Sequence, residues 1–439
     1  MLYTNDMKIL LSDGSGLTAR QVAPRLSESG HDVEVLSPDR MCLCRFTRHV
    51  RRVHLVPSYG ADPLGWLDAA LAVYRTGGFD LLFPTQEQVA VLSHSAGRLA
   101  AGGIRTAVPP FEALRALQDK VSAAATLGAL GIPQPKNAYL RSADDLRAWQ
   151  SLPVFVKTPI GTATSGVRRI DSAAALRGCA AEFEAAGVFG GGVLGAGGLA
   201  SGGLSSGGLA GGGVIAQEPA AGPLVMVQSV FARGEMVAAH ACLRVREGAR
   251  GGASHKRSLD EPAVVINHLE SLGRALHWHG GLSADAILTD AGPVFIDINP
   301  RLVEPGNAWR SGVDLVGALL DVARGGVPEA QPPGRPGVAT HQLLLAILGA
   351  AAEGRGRRGL AAEIGAALTR AGLYRGSAEE LTPVRGDPRA ALLVLAAAAA
   401  MLVRPALWRR LASGSVADYA LTPAGWDSLL SAAPQAPAA

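Results

Sequence analysis

The chain has 439 residues, of which 48% are hydrophobic and 18% are charged. This length and composition allow two or three domains with hydrophobic cores of their own, and they exclude a fibrous or wholly disordered protein. The formal net charge of +4 is small, and no long run of Lys or Arg is present, so the sequence indicates no nucleic-acid partner.

The cysteines and the amino terminus indicate a reducing compartment. Four cysteines are too few for a disulfide framework in a chain of this length, and they match no metal-ligand spacing beyond one C-x-C. The first residues lack the basic stretch followed by an apolar run that a secretory signal requires. We therefore expect reduced thiols and a cytoplasmic location.

Residues 1–109 are predicted to form a Rossmann-like domain. Residues 8–12 are typical of a buried strand, 17–29 of a helix and 31–37 of the next strand, which together make a parallel strand–helix–strand unit. The Gly14-Ser-Gly16 turn between them lacks the third glycine of a dinucleotide-binding motif, so a tight structural turn is favoured over nucleotide binding.

A polar segment follows the predicted strand at residues 80–85. Ligands bind at the carboxyl ends of strands in open parallel sheets, which makes Glu87 a candidate substrate contact. The alternative is a helix capped by Thr85, with Glu87 as a surface charge. The sequence favours this alternative slightly, and it predicts that the helix that follows spans residues 88–101.

Residues 110–325 contain two lysines near predicted loops. The helical region 111–130 carries Lys120 and ends at Gly131-Ile-Pro-Gln-Pro135. A strand at 153–157 ends in Lys157 and runs into a Gly-, Ser- and Thr-rich loop at 158–166. Such a loop lets backbone NH groups approach an anion, so a phosphate cradle is predicted, with a plain flexible hairpin as the alternative.

The next segments combine low complexity with clustered cations. Residues 189–213 consist mostly of Gly, Leu, Ala and Ser, and we expect a mobile surface loop there. A strand at 214–218 and a hairpin with strands at 224–231 and 235–245 follow. Arg244, Arg246 and Arg257 flank a predicted loop at 248–254, which suggests either an anionic ligand or solvated surface charge.

A second predicted hairpin has strands at 283–288 and 293–299. Alternation places Phe295, Asp297 and Asn299 on one face, and a hairpin centred on Ala291 puts Asp285 opposite Asp297. Like charges that face each other across two strands are destabilising unless a cation neutralises them. Oxygen ligands of this kind suit magnesium. A solvated acidic face is the alternative.

Residues 326–439 are predicted to be a linker followed by helices. The Pro- and Gly-rich segment 325–337 precedes helical patterns at 341–351 and 359–371 and an apolar run at 390–403. This run is shorter than the ~20 residues of a membrane span. We expect a buried helix or a subunit contact, as in a homodimer, with an interfacial anchor as the alternative.

Four motifs in this order resemble the ATP-grasp superfamily, in particular its carbamoyl phosphate synthase large-subunit and biotin carboxylase-like group, which includes carboxylate-amine ligases. They are Lys120 before its Gly-Ile-Pro tail, Lys157 with its loop, Gln217-Glu218, and the hairpin of Asp285 and Asp297-Ile-Asn-Pro-Arg301. The resemblance implies an α/β and α+β fold: a Rossmann-like pre-ATP-grasp domain, a two-lobed ATP-grasp domain and a helical C-terminal extension.

The resemblance also implies residue roles. Lys120 and Lys157 would contact the phosphates of ATP beneath a loop that contains Thr164, Ser165 and Gly166. The adenine would lie against Gln217, Glu218, Pro219 and Ala220. Asp285, Asp297 and Asn299 would hold two magnesium or manganese ions, although Asp297 stands where the family usually has the longer Glu. Arg301, with Asp297 and Asn299, would be catalytic. Candidate substrate contacts are Glu87, Arg244, Arg246 and Arg257.

The implied activity is ATP-dependent ligation of small molecules. A carboxylate would be activated as an acyl phosphate and then attacked by an amine or another nucleophile. Two alternatives stay open: a catalytically silent ATP-binding regulatory or scaffold protein of the same fold, and a carboxylate or carbamate kinase without ligation.

Overall fold

The computed structural model describes residues 6–162, 166–190 and 212–434. Its first part is a parallel four-stranded sheet with the order β3-β2-β1-β4. The strands are β1 (Lys8–Leu11), β2 (Asp32–Ser37), β3 (Val53–Leu55) and β4 (Leu81–Phe83). Helices α1 (Leu17–Glu28), α2 (Pro63–Gly77), α3 (Val89–His94) and α4 (Ala96–Ala101) accompany it. The predicted parallel strand–helix–strand unit is therefore confirmed.

Sequence signals explain the helix boundaries in this part. Helix α2 begins after Asp62, whose carboxylate accepts a hydrogen bond from the Gly65 backbone NH, and it ends at Gly78 in the left-handed conformation. Strand β1 is buried because Ile9, Leu10 and Leu11 have no exposed surface. Both faces of the sheet are thus covered, as is usual for parallel sheets.

A second, antiparallel sheet has the order β5-β8-β6-β7. Its strands are β5 (Asn137–Leu140), β6 (Val154–Lys157), β7 (Val167–Ile170) and β8 (Val214–Gln217). The helices in this part are α5 (Phe111–Gln118), α6 (Lys120–Ala129), α7 (Ala143–Arg147) and α8 (Ala173–Ala185). The predicted mobile insertion falls largely on 191–211, which lie outside the described residues, as do Thr164 and Ser165.

A third sheet has seven strands in the order β13-β12-β9-β10-β11-β14-β15. They are β9 (Leu224–Ala232), β10 (Glu235–Glu247), β11 (Ala253–Ser258), β12 (Gly280–Thr289), β13 (Gly292–Asn299), β14 (Ala339–His341) and β15 (Ala378–Glu379). Helices α9 (Ala263–Ala275), α10 (Gly306–Ser311) and α11 (Leu315–Ala323) lie in the same part of the chain. All neighbouring strands are antiparallel except β14 and β15.

The helical C-terminal region contains α12 (Leu343–Ala352), α13 (Gly356–Thr369), α14 (Ala390–Val403), α15 (Trp408–Tyr419) and α16 (Pro423–Ser431). Helices α12, α13 and α14 pack on one another around Leu348, Leu360 and Met401. Leu421, Trp426 and Leu429 instead pack into the core of the N-terminal sheet. Within the described parts of the chain, no helix is long and apolar enough to cross a membrane.

Three predictions about local structure were wrong. The helical region 111–130 is two helices, because the Asp119 carboxylate caps α6 by accepting from the NH groups of Val121 and Ser122. The expected helix 88–101 is likewise split, into α3 and α4. The loop expected at 248–254 extends less far, because strand β11 begins at Ala253.

Candidate active site

A cavity of about 1300 Å³ is lined by residues of the second and third sheets, by loops and helices that follow strands of the first sheet, and by C-terminal helices. Twelve of the predicted site residues line it: Glu87, Lys120, Lys157, Gln217, Glu218, Pro219, Ala220, Arg244, Asp285, Asp297, Asn299 and Arg301. The fold thus brings together motifs that are more than 200 positions apart in the sequence.

A β-bulge shapes the hairpin that carries the two aspartates. Asp285 pairs directly with Asp297, as expected, but the next pair is Ala286 with Phe295, so Ile296 has no partner on β12. The predicted alternation is therefore wrong at Phe295, which is 1% exposed and packs with Ile298 in the core. The bulge keeps both aspartates on the cavity side, although a regular hairpin with the same turn would pair Asp285 with Ile296.

The paired aspartates lie in a strongly charged environment. Burial of Asp285 and repulsion from Asp297 raise the pKa of Asp285 to about 7, while Arg244 and Lys157 oppose this change. Carboxylate and amide oxygens from Asp285, Asp297 and Asn299 are the ligand types that magnesium prefers, and a divalent cation would relieve the repulsion. These residues therefore fit a magnesium ion, although no group of three or more His, Cys, Asp or Glu placed to hold a metal occurs among the described residues.

Lys157 reaches the cavity from the end of β6. Its side chain is buried, and Nζ donates a hydrogen bond of 2.7 Å to the carbonyl oxygen of Ile296, the bulged residue. Burial lowers the pKa of Lys157, Asp297 and Asp285 oppose this, and Lys120 adds to it. A buried ammonium that has a carbonyl as its hydrogen-bond partner is well suited to donate a further hydrogen bond to a phosphate oxygen.

Lys120 is the first residue of α6, not a mid-helix residue as predicted. Its Nζ donates to the carbonyl oxygen of Gly161 at 2.9 Å, and its backbone NH donates to Pro159. Both acceptors belong to the loop that follows β6. Gly166 closes this loop in a left-handed conformation with φ of +77°, and its carbonyl accepts from the Thr158 NH. The side chain and backbone of Lys120 therefore fix the position of the predicted phosphate loop.

The segment predicted to line the adenine leaves β8 at the edge of the cavity. Gln217 ends the strand and is buried. The Glu218 backbone NH donates to the carbonyl of Lys136 at 2.8 Å, and the two side chains form an ion pair at 3.2 Å. Pro219 and Ala220 continue along the cavity wall.

Arg301 and Glu87 connect three parts of the chain through an ion pair and hydrogen bonds. An Nη atom of Arg301 lies 3.6 Å from Glu87, and the other donates to Asn299 Oδ1 at 3.4 Å. Glu87 also accepts from the Thr162 hydroxyl and from the Leu421 NH. Because these groups occupy both carboxylate oxygens, the geometry supports a positioning role for Glu87 more than a direct substrate contact.

The three arginines that were predicted to contact the substrate lie in different surroundings. Arg244 lines the cavity and donates to the Gly251 carbonyl at 2.9 Å. Arg246 does not line it and instead pairs with Glu363 at 2.7 Å. Arg257 is exposed, away from the cavity and 4.0 Å from Asp260. The expected arginine cluster is therefore absent from the described cavity wall, because a bulge near Arg246 and the strand position of Arg257 direct them elsewhere.

Several features of the cavity wall and of the core next to it were not predicted from the sequence. Lys256 on β11 is buried and pairs with Glu304 at 2.7 Å and with Glu380 at 2.6 Å. Asp418 and Tyr419, near the end of α15, line the cavity from the C-terminal region. Glu380 is 124 positions from Lys256. No local pattern could have shown this pairing, because it depends on the tertiary fold.

No protein-family model and no curated protein sequence matches the chain. Several solved structures nevertheless have a similar fold. The biotin carboxylase domain of Hydrogenobacter thermophilus 2-oxoglutarate carboxylase, solved with MgADP, ADP and bicarbonate, is 16% identical with a TM-score of 0.56. The match covers 76% of this chain and 74% of that one.

Two further structures are similar over comparable lengths. Carboxyaminoimidazole ribonucleotide synthase from Aspergillus clavatus, complexed with ATP, is 14% identical with a TM-score of 0.57 over 77% of this chain and 82% of that one. L-amino acid ligase from Bacillus licheniformis is 15% identical with a TM-score of 0.53, covering 74% and 76%. The chain has the ATP-grasp fold.

The ATP-grasp resemblance read from four sequence motifs is thus confirmed at the level of the fold. The roles assigned to individual residues stay predictions, because fold similarity at this level of identity does not test them. What the structure adds is their convergence on one cavity.

Proposed function

We propose that this chain is an ATP- and magnesium-dependent ligase that activates a small-molecule carboxylate as an acyl phosphate for attack by an amine or another nucleophile. One observation carries the proposal. Two lysines from the second sheet and its helices share a cavity with a carboxylate pair, an asparagine and an arginine from the third. This is the set of groups that phosphoryl transfer requires.

The chain's own residues would bind and orient ATP. Lys120 and Lys157 would contact the phosphates, and the segment from Gln217 to Ala220 would contact the adenine. Asp285, Asp297 and Asn299 would hold the magnesium, which neutralises charge on the phosphates when bound.

Arg301 would stabilise the phosphoryl group during transfer. Its guanidinium is 9% exposed and is held between Glu87 and Asn299, so little reorganisation is needed when charge develops nearby. Glu87 would set the position of Arg301, and through Leu421 it also ties the C-terminal region to the site. Arg244, on the same wall, is the remaining candidate for contact with an anionic substrate.

The compared structures support this proposal in general terms. One was solved with MgADP, ADP and bicarbonate, another with ATP, and the third is an L-amino acid ligase. One of them is described as a dimer, which supports a homodimer here. We also propose that the protein is cytoplasmic and that its domain boundaries lie after residues 109 and 325.

The direct test is ADP formation across pairs of acids and amines with the full chain. We expect ADP formation to depend on both substrates. In Asp297→Ala the rate of ADP formation should fall by at least about 100-fold, because a metal ligand is removed. Arg257→Ala, an exposed change outside the cavity, is the matched control and should keep wild-type activity.

The same assay separates the alternatives. A kinase would form ADP with the acid alone, and a silent scaffold would form none with any pair. Full activity of Asp297→Ala would rule out the proposed mechanism.

A further inference from the structure

One end of the cavity has an apolar wall that the phosphoryl-transfer groups do not account for. Seven of its residues belong to a single hydrophobic cluster: Leu17, Leu43, Ala249, Leu344, Leu348, Leu393 and Ala397. They come from the start of α1, the turn after Cys42, the loop between β10 and β11, and helices α12 and α14. Neither a triphosphate nor a divalent cation is stabilised by such a surface.

The rim of this end carries hydrogen-bond acceptors. The Asp418 carboxylate accepts from the Ser15 hydroxyl at 2.9 Å, and both residues line the cavity together with Asp39. Burial raises the pKa of Asp418, and repulsion from Asp39 adds to this. Two arginines also line this part of the cavity: Arg410, which takes part in another interaction, and Arg250, which follows Ala249 of the apolar cluster.

A buried amide adds an independent acceptor beside these carboxylates. Gln86 is 4% exposed and lines the cavity, and its Oε1 accepts no hydrogen bond within the described part of the chain. Its amide lies over Gly16, where an added Cβ would be 2.1 Å from Nε2, and so it is next to Ser15. A buried acceptor without a donor indicates that a ligand donor belongs there.

This end is close to the proposed catalytic groups. Tyr419 follows Asp418, is buried and lines the same cavity. Burial raises its pKa, and Arg301 is near enough to oppose that change. The cavity of about 1300 Å³ also exceeds the ~300–1,000 Å³ that one small ligand usually occupies, so it has room for a second molecule beside a nucleotide.

We propose that the amine substrate of this enzyme carries an apolar group, an alkyl chain of roughly four or more carbons or an aromatic ring, which packs on the leucine wall. Its ammonium group is held by Asp418 and Gln86 at the rim. This inference rests on the proposed ligase function and narrows its second substrate from any amine to a hydrophobic primary amine.

The test is a binding series on the full chain without ATP. Primary alkylamines from propylamine to heptylamine are titrated by ligand-observed NMR, together with carboxylates of the same lengths. We expect the dissociation constant of the amines to fall about fourfold per added methylene until the wall is covered. The matched carboxylates should bind at least about tenfold more weakly, because the rim presents acceptors.

Two alanines on α14 provide a matched pair of variants. Ala397 is buried and lines the cavity, whereas Ala396, the residue before it, is exposed and does not line the cavity. Ala397→Leu should weaken heptylamine binding by about tenfold or more and propylamine binding by less than threefold, since the added side chain fills the far end. Ala396→Leu should bind both amines as the wild type does.

A flat amine series, or tighter binding of the carboxylates, would overturn the inference. If Ala397→Leu does not fold, the wild-type series still decides. Because these titrations need no turnover, amine binding without ADP formation would support the hydrophobic amine site while the ligase proposal fails. ADP formation with hydrophilic amines alone, such as ethanolamine, would support the ligase proposal and overturn the inference of a hydrophobic amine substrate.

Discussion

Two buried lysines of this chain, Lys157 and Lys256, lie in regions of opposite character. Lys256 is enclosed between the carboxylates of Glu304 and Glu380, which raise its pKa against the effect of burial. Lys157 donates to a carbonyl oxygen at the cavity, and burial lowers its pKa. One ammonium has its counter-charges in the chain, and the other faces a cavity.

This difference indicates what each lysine does. A buried charge that is paired within the chain contributes to the folded structure, whereas one without a direct carboxylate partner, at a cavity, is suited to an anionic ligand. Burial and residue type are the same at both positions. The partners therefore distinguish a structural lysine from a candidate binding residue.

The largest expected effect is on folding. Lys256→Met should lower the free energy of unfolding by about 3–5 kcal/mol, because Glu304 and Glu380 would be left buried without a cation. Urea unfolding followed by tryptophan fluorescence measures this change. Lys157→Met is the matched control and should cost about 2 kcal/mol, the net value of one charged hydrogen bond. Equal losses of unfolding free energy in the two variants would contradict the distinction between a structural lysine and a binding lysine.

A smaller effect is expected from the carboxylate pair. The pKa of Asp285 is about 7 in the folded chain, against an ordinary value of 3.8. Between these values the folded chain binds more protons than the unfolded one, so this group makes stability fall as pH rises from about 4 to 7. In EDTA, the free energy of unfolding of the wild type should therefore fall between pH 5 and pH 8 by roughly 1–3 kcal/mol more than that of Asp285→Asn.

Magnesium provides the second arm of that experiment. At pH 8 it should stabilise the wild type and have little effect on Asp285→Asn, because the variant lacks one of the two charged ligands. Identical pH profiles in EDTA, or equal stabilisation of both proteins by magnesium, would contradict the proposed role of Asp285.

The smallest effect is expected at an exposed lysine. Lys136 is 74% exposed in its side chain and pairs with Glu218 at 3.2 Å. Lys136→Ala should change the free energy of unfolding by less than about 0.5 kcal/mol, since solvent and salt screen the pair. A loss above 2 kcal/mol in the same urea assay would show that exposure does not predict the value of an ion pair here.

Much of the fold could be predicted from the sequence because its signals are local. Strands such as Lys8–Leu11 and the apolar helix Ala390–Val403 follow from continuous hydrophobic runs. The pairing of Asp285 with Asp297 was also predicted, although the pairs nearer the turn are shifted by one residue from the expected register. The four motifs resembled the ATP-grasp fold because their order and spacing survive where overall sequence similarity does not.

The remaining features depend on contacts that no local pattern contains. Strand β11 is polar, and β14 and β15 have three and two residues, too few to show a period. The bulge at Ile296 follows from the pairing of a whole hairpin. The apolar cavity wall needs helices α12 and α14 to meet the turn after Cys42, which the fold alone brings about.

The central claim is that Lys157 and the aspartate hairpin bind a magnesium nucleotide in one cavity. Calorimetric titration of MgATP into the full chain tests it most directly. We predict one site per chain, with affinity at least about 30-fold weaker in Lys157→Met, because charged hydrogen bonds contribute about 2 kcal/mol or more. Unchanged affinity in Lys157→Met, or no binding by the wild type, would contradict the account.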